Sequence, residues 1–275
     1  MTDDKPGHWN QMLGLVNALA RQRNITYKRD SLSAPQALAD LREWSPDLIV
    51  AAGHQTHRRA LVLKWRLRLP LCVLMKPSLP RWLFDFCIVP KHDGWRDSDR
   101  VLTTYGAINN VQPQPKNPNS GLVLLGGESR HADWQSDEIV RQVITIVHED
   151  SERHWTIADS RRSPPDLLKQ FSSLNVSVMP WASCPSGWLA DALGRTERVW
   201  VTPDSVSMVY EALSGGCQVG LLDLPMRNTR VAKGMRALVE EQRVMTFDSR
   251  HQTWPAPQPL AEADHAAQWL LERLS

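Results

Sequence analysis

The stretch VTPDSVSMVYEALSGGCQVGLL, residues 201–222, has the pattern of a strand, a helix and a second strand. The apolar runs at 198–204 and 218–224 predict two buried strands, and residues 205–214 predict the helix that joins them. Two strands that are connected through a helix run parallel in a sheet. The stretch therefore predicts a parallel sheet covered by helices, which is the basic unit of an α/β protein.

The same alternation extends over the rest of the chain. Further strands are predicted at 24–30, 46–53, 71–76, 84–93, 121–127, 154–160 and 175–181. Further helices are predicted at 11–19, 33–44, 56–67, 135–149, 164–171, 228–242 and 262–274. This order of elements predicts an α/β fold in which helices cover both faces of parallel sheets.

One segment interrupts the alternation. Residues 109–121, NNVQPQPKNPNSG, are rich in Pro, Asn and Gln and have almost nothing to bury, which is typical of an interdomain linker. We therefore predict two α/β domains, 1–115 and 116–275, joined near residue 115. Ligands of such sheets bind at the carboxyl ends of the strands, so two facing domains would place the site in the cleft between them.

Composition narrows the class of protein. A hydrophobic fraction of 42% excludes a disordered chain, and a net charge of +2 without a long polybasic run gives no indication of a nucleic-acid partner. The four cysteines are scattered without a C-x-x-C motif, so we predict reduced core residues of a cytoplasmic protein. No signal peptide and no apolar run long enough to span a bilayer is visible.

The stretch LVLKWRLRLPLCVLM, residues 61–75, allows two interpretations. It is either a helix end, a loop and a buried strand, or a basic, tryptophan-bearing patch that rests on a membrane surface.

Small and basic residues collect directly after the predicted strands. Those of the second half of the chain are Gly126, Gly127, Ser129, Arg130, Arg161, Arg162, Ser205 and Ser207. Small residues let backbone N–H groups approach a ligand, and basic residues and helix N-termini supply positive potential. Together these residues favour an anionic ligand.

The helix at 205–214 is the strongest local case for such a site. Its cap is Asp204 or Ser205, and the hydroxyls of Ser205 and Ser207 are able to donate to a phosphate. Glu211 lies one turn after Ser207 on the same helix face, where a carboxylate suits a ribose diol. The alternative is a simply capped helix with a surface glutamate.

The opening stretch DDKPGHWNQMLGLVNAL, residues 3–19, raises a similar question. A turn with proline and glycine carries a lysine and a histidine and leads straight into a helix. This is either a site at a helix N-terminus or only a polar segment before the first helix.

Several other classes of site are disfavoured. His54 and His57 have the spacing of metal ligands but lack an obvious third ligand, so no metal site is predicted. The absence of G-x-G-x-x-G, of G-x-x-x-x-G-K-[ST] and of G-x-S-x-G argues against a standard NAD site, a P-loop NTPase and an α/β-hydrolase.

Six blocks carry a resemblance to a known family. They are TDDKPGHWNQMLGL, AAGHQTH, MKPSLPRWLFDFCIVPKHD, LLGGESRHADW, DSRRSPP and VTPDSVSMVYEALSGGCQVGLL. In this order, from about residue 2 to about residue 235, they resemble the bacterial branch of the mitochondrial-fission-factor family, whose members are regarded as glycosyltransferases. The resemblance implies a GT-B-like fold of two Rossmann-like domains whose parallel sheets face a central cleft. It also implies an acceptor on the N-terminal domain, a nucleotide-sugar donor on the C-terminal domain, and neither an essential metal nor a cofactor.

Two of these blocks are also similar to motifs of GT-B enzymes. EALSGGCQVGLL matches the E-A-x-x-x-G-x-P-V segment, with Gln218 in place of the proline, and PGHWNQ matches the first loop of the N-terminal domain. Relatives carry an apolar strand just before TDDKPGH, whereas this chain begins Met1-Thr2. We expect either a nearly absent first strand, with a poorly anchored opening loop, or a start that lies upstream.

The resemblance assigns roles to residues. The predicted donor-binding set is Gly126, Gly127, Ser129, Arg130, Arg161, Arg162, Asp204, Ser205, Ser207, Met208 and Glu211. Asp4 and His8 are the candidate bases for the acceptor hydroxyl, and Lys5 is an extra phosphate or carboxylate contact.

Family context and the basic, tryptophan-rich patches at 58–68 and 81–96 suggest a cell-envelope glycan acceptor, such as lipopolysaccharide core, and peripheral contact with the inner membrane. The rival functions are a nucleotide-sugar epimerase of the same architecture and a non-catalytic membrane-associated binding protein.

Overall fold

The computed structural model describes residues 1–227 and 230–274, and the chain divides into two compact units. Unit 1 consists of Met1–Asn110 and Ala261–Ser275, and unit 2 consists of Val111–Leu260. The sequence prediction instead put the boundary near residue 115 and gave all of 116–275 to the second domain. The main difference is the last helix, which packs in unit 1.

The helices and strands of the described residues follow the predicted alternation. The helices are α1 (Pro6–Gln22), α2 (Leu38–Trp44), α3 (His57–Leu67), α4 (Ser136–Glu149), α5 (Trp188–Arg195), α6 (Val206–Ser214), α7 (Arg230–Glu240) and α8 (Glu262–Leu274). The strands are β1 (Ile49–Ala52), β2 (Leu71–Leu74), β3 (Phe86–Pro90), β4 (Val101–Thr104), β5 (Asn117–Leu124), β6 (His154–Ala158), β7 (Ser177–Met179), β8 (Thr196–Val201), β9 (Gln218–Leu221) and β10 (Met245–Thr246).

Unit 1 is built on a parallel sheet of order β1-β2-β3-β4 with helices on both faces. Alternate residues of β2 explain why both faces are covered. Cys72 and Leu74 belong to the core cluster with α1 and α8, whereas Leu71 and Val73 belong to the cluster with α2 and α3. A strand that is apolar on both sides needs a layer on each face, as the sequence predicted.

The C-terminal helix α8 completes the α1 side of unit 1. Ala266 and Ala267 are fully buried in the same cluster as Leu15 of α1. Alanine side chains let two helices approach closely, and an ion pair of 2.7 Å between Arg21 and Asp264 joins their exposed sides. The apolar face of α8 therefore stabilises unit 1.

The first residues of the chain lie beside β1. Thr2 forms parallel bridges with Ala52 on one side and with Ser31 on the other. The Thr2 N–H donates to Asp30 O at 3.0 Å, and Thr2 O accepts from Leu32 N–H at 3.1 Å. The loop that follows is thus held on both sides, in contrast to the poor anchoring that was expected for a missing first strand.

Unit 2 has a six-stranded parallel sheet of order β10-β9-β8-β5-β6-β7. The chain starts in the middle at β5, builds outward through β6 and β7, and then returns to build in the other direction from β8. This is the Rossmann strand order, and its direction reverses between β5 and β8. Sheets of this type bind ligands at the carboxyl ends of the strands beside the reversal.

Some predicted elements differ from the structure. The predicted strand at 24–30 does not form: residues 24–29 are mostly exposed, and the backbone bond to Thr2 is made only at the end of the segment, by the carbonyl of Asp30. Only one 3₁₀ turn, Leu167–Phe171, forms within the predicted helix at 164–171, and the helix predicted at 33–44 forms only as α2. The strands β4 and β10 and the helix α5 were not predicted. The first two residues of the helix predicted at 228–242 lie outside the described residues.

The structure also bears on the cysteines and on hydropathy. All four cysteines are free thiols, and Cys72, Cys87 and Cys217 are buried, as predicted for core residues. Burial raises the pKa of these three thiols. Within the described ranges, no helix is long and apolar enough to cross a bilayer.

Candidate functional site

The N-terminus of α1 carries a histidine that is paired with a buried carboxylate. His8 Nδ1 lies 2.7 Å from Asp3 Oδ1, and the Asp3 side chain is fully buried while the imidazole is partly exposed. Burial opposes the ionisation of Asp3, but the hydrogen bond and the charge of His8 outweigh burial and lower the pKa of Asp3. An ionised Asp3 accepts the Nδ1–H of His8, which leaves Nε2 as the proton-accepting nitrogen. A general base oriented by a carboxylate has this arrangement.

Gly53, at the end of β1, makes room for this pair. Its φ of +90° lies in the region that favours glycine, and a Cβ there would stand 2.6 Å from both Asp3 Oδ2 and His8 Nδ1. The carboxylate and the imidazole therefore pack directly against backbone. Since β1 is the neighbour of Thr2, the pair lies where the carboxyl ends of these two segments meet.

Asp4 does not share the environment of Asp3. Its carboxylate accepts hydrogen bonds from the Arg29 guanidinium at 2.7 Å, from the Ser33 hydroxyl at 2.7 Å and from the Ser31 hydroxyl. The hydrogen bonds from Ser31, Ser33 and Arg29 lower the pKa of Asp4 to about 2. A carboxylate with three donors and so low a pKa is a weak base, so the geometry argues against the predicted base role and assigns Asp4 to anchoring the loop.

The third residue predicted in this loop is Lys5. Its ammonium lies 3.6 Å from Asp3 Oδ2, and about half of the side chain is exposed. Its contact with a phosphate or carboxylate stays a prediction.

The two histidines after β1 differ in burial, since His54 is exposed and His57 is buried. His57 is buried, lies with Nδ1 3.1 Å from the Ser78 hydroxyl and packs edge-on against Phe84. Burial and the charge of His54 lower its pKa. In the part of the chain that the structure describes, no group of three His, Cys, Asp or Glu side chains is arranged around a common metal position.

In unit 2 the predicted glycine turn lies at the carboxyl end of β5, beside the reversal of strand order. The Gly126 N–H donates to the Thr202 hydroxyl at 2.7 Å, and the Gly127 N–H donates to Asp204 Oδ2 at 3.2 Å. Both N–H groups are thus bonded within the unit, and the expectation that they face a phosphate is not met in this conformation. A Cβ at Gly126 would collide with the Asp204 carboxylate, so glycine is needed here for close packing.

The Asp204 carboxylate also holds one of the predicted arginines. Arg162 Nη1 lies 2.8 Å from Asp204 Oδ2 and donates to the carbonyl of Gly127 at 3.2 Å. Asp204 is fully buried, and its other oxygen has no hydrogen-bond partner among the described residues. Asp204 is therefore not the cap of α6, but joins the loops after β5, β6 and β8.

Two serines after β6 complete this junction. The hydroxyls of Ser160 and Ser163 both donate to the carbonyl of Gly126, the former at 2.9 Å. A Cβ at Gly127 would collide with the carbonyl of Arg162, so the two loops are in direct backbone contact. The turn at the end of β5 is therefore rigidly positioned.

The N-terminus of α6 lies at the carboxyl end of β8. Ser205 is its N-cap; this residue is buried and its hydroxyl makes no capping hydrogen bond, whereas Ser207 is exposed. Met208 is half-buried in the first turn. Glu211 is half-buried one turn further on, and desolvation raises its pKa to about 7.

The remaining basic residues flank this edge. Arg161 and Arg130 are exposed, and the Arg130 Nε–H lies 3.4 Å from His131 Nε2. Ser129 accepts the N–H of His131 at 3.1 Å. Burial and the charges of Arg130 and Arg162 lower the pKa of His131, which favours the neutral form of its imidazole.

A concave surface continues along the same edge. A cavity of about 350 Å³ lies at the carboxyl ends of β9 and β10, and its walls include Pro203, Asp223, Met235 and Phe247. The loop after β7 carries an exposed tryptophan, Trp181, whose backbone N–H donates to Asp159 Oδ1 at 2.6 Å. An apolar wall and an exposed indole beside basic groups suit a ligand with a ring and a phosphate.

Sequence reasoning missed several of these residues. The sequence analysis chose Asp4 instead of its neighbour Asp3, which is in the same turn before α1. Thr202 and Ser163 gave no signal, because their roles depend on contacts between loops that are far apart in sequence. The position of Gly53 directly after a buried strand was a signal that it lies near a site.

Two α/β units with parallel sheets, one of them in Rossmann order with a polar site at the reversal of strand order, define the GT-B class of fold. The chain belongs to the family described as Mitochondrial fission ELM1, which matches residues 6–274. A relative in Rickettsia prowazekii, the uncharacterized protein RP120, is 24% identical over 289 residues, which cover 86% of this chain and 80% of the relative.

Solved structures agree with this fold. A UDP-GlcNAc 2-epimerase from Neisseria meningitidis bound to UDP-GlcNAc is similar with a TM-score of 0.55 and 13% identity, over 97% of this chain and 96% of the epimerase. Anabaena Alr3699/HepE in complex with UDP-glucose is similar with a TM-score of 0.51 and 11% identity, over 98% of this chain and 88% of that protein. The GT-B-like fold that the sequence predicted is thereby confirmed.

Proposed function

We propose that this protein is a metal-independent glycosyltransferase that moves a sugar from a nucleotide-sugar donor to a glycan acceptor of the cell envelope, such as lipopolysaccharide core. The observation that carries the proposal is the carboxyl edge of the sheet of unit 2. There the free N-terminus of α6, two serine hydroxyls and exposed arginines surround the reversal of strand order. The solved structures with a similar fold include proteins bound to UDP-GlcNAc and UDP-glucose.

Unit 2 supplies the positive potential that a departing diphosphate needs. The N–H groups of the first turn of α6 and the hydroxyls of Ser205 and Ser207 donate to its oxygens. The exposed guanidinium groups of Arg130 and Arg161 neutralise the charge that develops as the sugar leaves. Glu211, with a pKa of about 7, accepts from or donates to the ribose hydroxyls.

Unit 1 supplies the base in this proposal. The acceptor hydroxyl attacks the anomeric carbon, the bond from that carbon to the diphosphate breaks, and the nucleoside diphosphate leaves with the bonding electrons. The proton of the acceptor hydroxyl passes to Nε2 of His8. Asp3 holds the imidazole in the required tautomer and stabilises the imidazolium that forms.

The surface of unit 1 supports a glycolipid acceptor. Exposed tryptophans and arginines on and beside α3 suit an anionic amphiphile, and an envelope glycolipid made at the inner membrane has that chemistry. The proposal therefore places the protein in the cytoplasm, in peripheral contact with the inner membrane, without a nucleic-acid partner.

An epimerase is the second candidate, because the structure bound to UDP-GlcNAc is a UDP-GlcNAc 2-epimerase. An epimerase changes the donor with no acceptor present, whereas a transferase leaves the donor largely intact until an acceptor is added. Chromatography of donor incubated alone separates the two functions.

The first test is thermal unfolding of the purified protein with UDP-, GDP-, CMP- and ADP-linked sugars. At about 100 times its dissociation constant, a ligand stabilises the folded state by about 2.7 kcal/mol, which raises Tm by roughly 5 to 10 °C. We expect such a shift with one nucleotide family only. The absence of a shift with any of them overturns the donor site and favours a non-catalytic binding protein.

A pair of variants locates the site. Arg130→Ala/Arg161→Ala removes the exposed cations at the edge, and we expect binding to weaken at least about ten-fold. Arg195→Ala removes an exposed arginine of α5 in the same unit, which is paired with Asp191 at 3.1 Å, and we expect binding within about two-fold of wild type. Equal binding by all three proteins contradicts the assignment of the edge.

A further inference from the structure

The segment between Asp47 and Asp85 has an unusual charge distribution. Its 37 residues, 48–84, contain no aspartate or glutamate. The cations in it are Arg58, Arg59, Lys64, Arg66, Arg68, Lys76 and Arg81. The chain as a whole has nearly balanced charge, with 32 basic and 30 acidic residues, so this segment concentrates positive charge in one part of unit 1.

Most of these cations have no ion-pair partner among the residues that the structure describes. Arg59 is paired with Asp30 at 3.0 Å, and Lys64 is paired with Asp85 at 2.8 Å. The other five are exposed, and none of them has an ion pair with a carboxylate within residues 1–227 and 230–274. Their charge is therefore directed to whatever lies outside the protein.

Large apolar side chains are exposed among these cations. Trp82 is 73% exposed, Trp65 is 63% exposed and Val62 is 53% exposed. Tryptophan is rarely left so open on a soluble domain unless it meets a partner or an interface.

Four of these side chains lie on one face of α3, and Arg81 and Trp82 lie in the segment next to it. On α3, positions 58, 62, 65 and 66 follow the spacing of a single helix face. The Lys64 ammonium donates to the carbonyl of Leu83 at 3.0 Å, which fixes the segment 81–83 beside α3. We call the resulting surface the basic tryptophan face. It consists of Arg58, Val62, Trp65, Arg66, Arg81 and Trp82.

A cavity opens beside this face. It has a volume of about 610 Å³ and is lined by Trp65 together with the basic side chains Lys64, Arg68, Arg100 and Arg273. Asp85 is the acidic residue in this lining, and its carboxylate is paired with Lys64. A cavity with this charge and size suits the phosphate headgroup of a lipid.

We propose that the basic tryptophan face docks unit 1 on a bilayer that contains anionic phospholipid. The indoles of Trp65 and Trp82 enter the headgroup boundary, where one side of the ring is apolar and the other is wet. The guanidinium groups of Arg58, Arg66 and Arg81 lie over the lipid phosphates. This inference deepens the membrane-contact part of the proposed function, but it requires neither donor binding nor catalysis.

Charge complementarity favours a lipid surface over other occupants. A second copy of the face would bring the same cations together, which is repulsive. Each arginine near an anionic bilayer raises the partition coefficient about five-fold, since it contributes about 1 kcal/mol. The two exposed indoles add an apolar contribution that a purely electrostatic partner would not use.

The test is co-sedimentation of the full chain with sucrose-loaded vesicles. We expect binding to vesicles of phosphatidylcholine with phosphatidylglycerol, little binding to phosphatidylcholine alone, and a loss of binding as salt is raised. Arg58→Glu/Arg66→Glu is expected to lower the partition coefficient at least about 25-fold. Trp65→Ala/Trp82→Ala is expected to lower it and to reduce quenching of the remaining tryptophan fluorescence by brominated phospholipid.

Matched controls keep the result specific. Arg23→Glu/Arg195→Glu changes the net charge by the same amount with two other exposed arginines, and Tyr27→Ala removes another exposed aromatic side chain. Both are expected to bind within about two-fold of wild type. Circular dichroism and Tm verify that each variant is folded.

Three results overturn the proposal. They are a failure of the wild-type protein to bind anionic vesicles, equal loss of binding in the charge-matched control, and binding of a nucleic acid or a protein in preference to the vesicles. The thermal-shift test with nucleotide sugars uses no lipid. A failure to bind vesicles therefore does not affect the evidence for the donor site.

Discussion

The two units position their polar sites in the same way but present different groups. In unit 1 the fully buried carboxylate of Asp3 holds His8, whose side chain is 24% exposed. In unit 2 the fully buried carboxylate of Asp204 holds Arg162, whose side chain is 40% exposed. Each carboxylate lies against a glycine that has no room for a Cβ, and each has one oxygen without a hydrogen-bond partner among the residues described.

The difference lies in the outer group. An imidazole has a ring nitrogen that is able to accept a proton, whereas a guanidinium has only hydrogen-bond donors and carries a fixed positive charge. The same buried support therefore prepares proton transfer in unit 1 and a fixed positive charge in unit 2. The support in unit 2 also rests on an eight-residue strand, β5, whereas that in unit 1 rests on the bridges of Thr2.

The largest expected effect tests the proton-transfer side of this comparison. We expect His8→Gln to lower kcat for sugar transfer by about 10² to 10⁴, because glutamine keeps a polar side chain but accepts no proton. Asp3→Asn is expected to lower kcat as well, since it removes the charge that fixes the tautomer. The measurement is release of nucleoside diphosphate with donor and acceptor present.

The control for this prediction is Asp4→Asn, which leaves the Asp3–His8 pair in place. Full turnover by His8→Gln would show that His8 is not the base. A loss of kcat with Asp4→Asn as large as with Asp3→Asn would show that loop anchoring alone explains the effect.

The next effect tests whether both glycines are required for packing. Gly126→Ala would drive a methyl group into the Asp204 carboxylate, and Gly53→Ala would drive one into Asp3 and His8 at a φ of +90°. We expect each substitution to lower the free energy of unfolding by about 3 kcal/mol, measured by urea denaturation. An unchanged midpoint for either variant would mean that its carboxylate moves aside freely.

A smaller effect separates the units by their response to pH. The pKa values of Asp3 and Asp4 in unit 1 are lowered, so their contribution to stability is present at neutral pH and is lost as pH falls through the folded-state pKa. Glu211 in unit 2 behaves in the opposite way. Its pKa is raised by burial from 4.5 to about 7, so stability is lost as pH rises from about 4.5 to about 7, where only the unfolded state ionises fully.

Glu211→Gln is therefore expected to stabilise the protein above neutral pH. The gain is about 2 kcal/mol at pH values above about 7, with allowance for partial exposure, and it disappears at pH values below about 4. Tm measured across this pH range checks the prediction. A gain that is equally large in acid would point to the amide itself and not to the ionisation of Glu211.

The smallest effect is a stabilisation in unit 1. Gly7 lies in the first turn of α1, and a Cβ there meets nothing within 4 Å. Gly7→Ala is expected to raise the free energy of unfolding by about 0.5 to 1 kcal/mol, because alanine has less backbone freedom to lose on folding. A destabilisation as large as that of Gly53→Ala would show that the start of α1 is more constrained than its contacts indicate.

The sequence by itself determined the class of fold. Alternating apolar runs and helix signals, such as those at 198–222, require parallel sheets with helices on both faces, because only burial on both sides suits such strands. The six sequence blocks led to the family, and local residue types alone predicted the opening loop, the glycine turn after β5 and the start of α6 as site elements.

Only the tertiary structure decided how those elements are used. Asp3 and Asp4 are adjacent and chemically identical, but a φ of +63° at Asp4 lies in the left-handed region, and the two side chains meet different partners: one goes to His8 and the other to Arg29. The turn of Gly126 and Gly127 was expected to bind phosphate, yet its N–H groups donate to Thr202 and Asp204, which are about 76 residues away in sequence.

The pattern of apolar residues in α8 does not tell which of the two sheets this helix covers. Only its packing against α1 assigns it to unit 1. Contacts between distant segments depend on which surfaces the folded chain brings together, and a one-dimensional pattern of residue types does not contain that information.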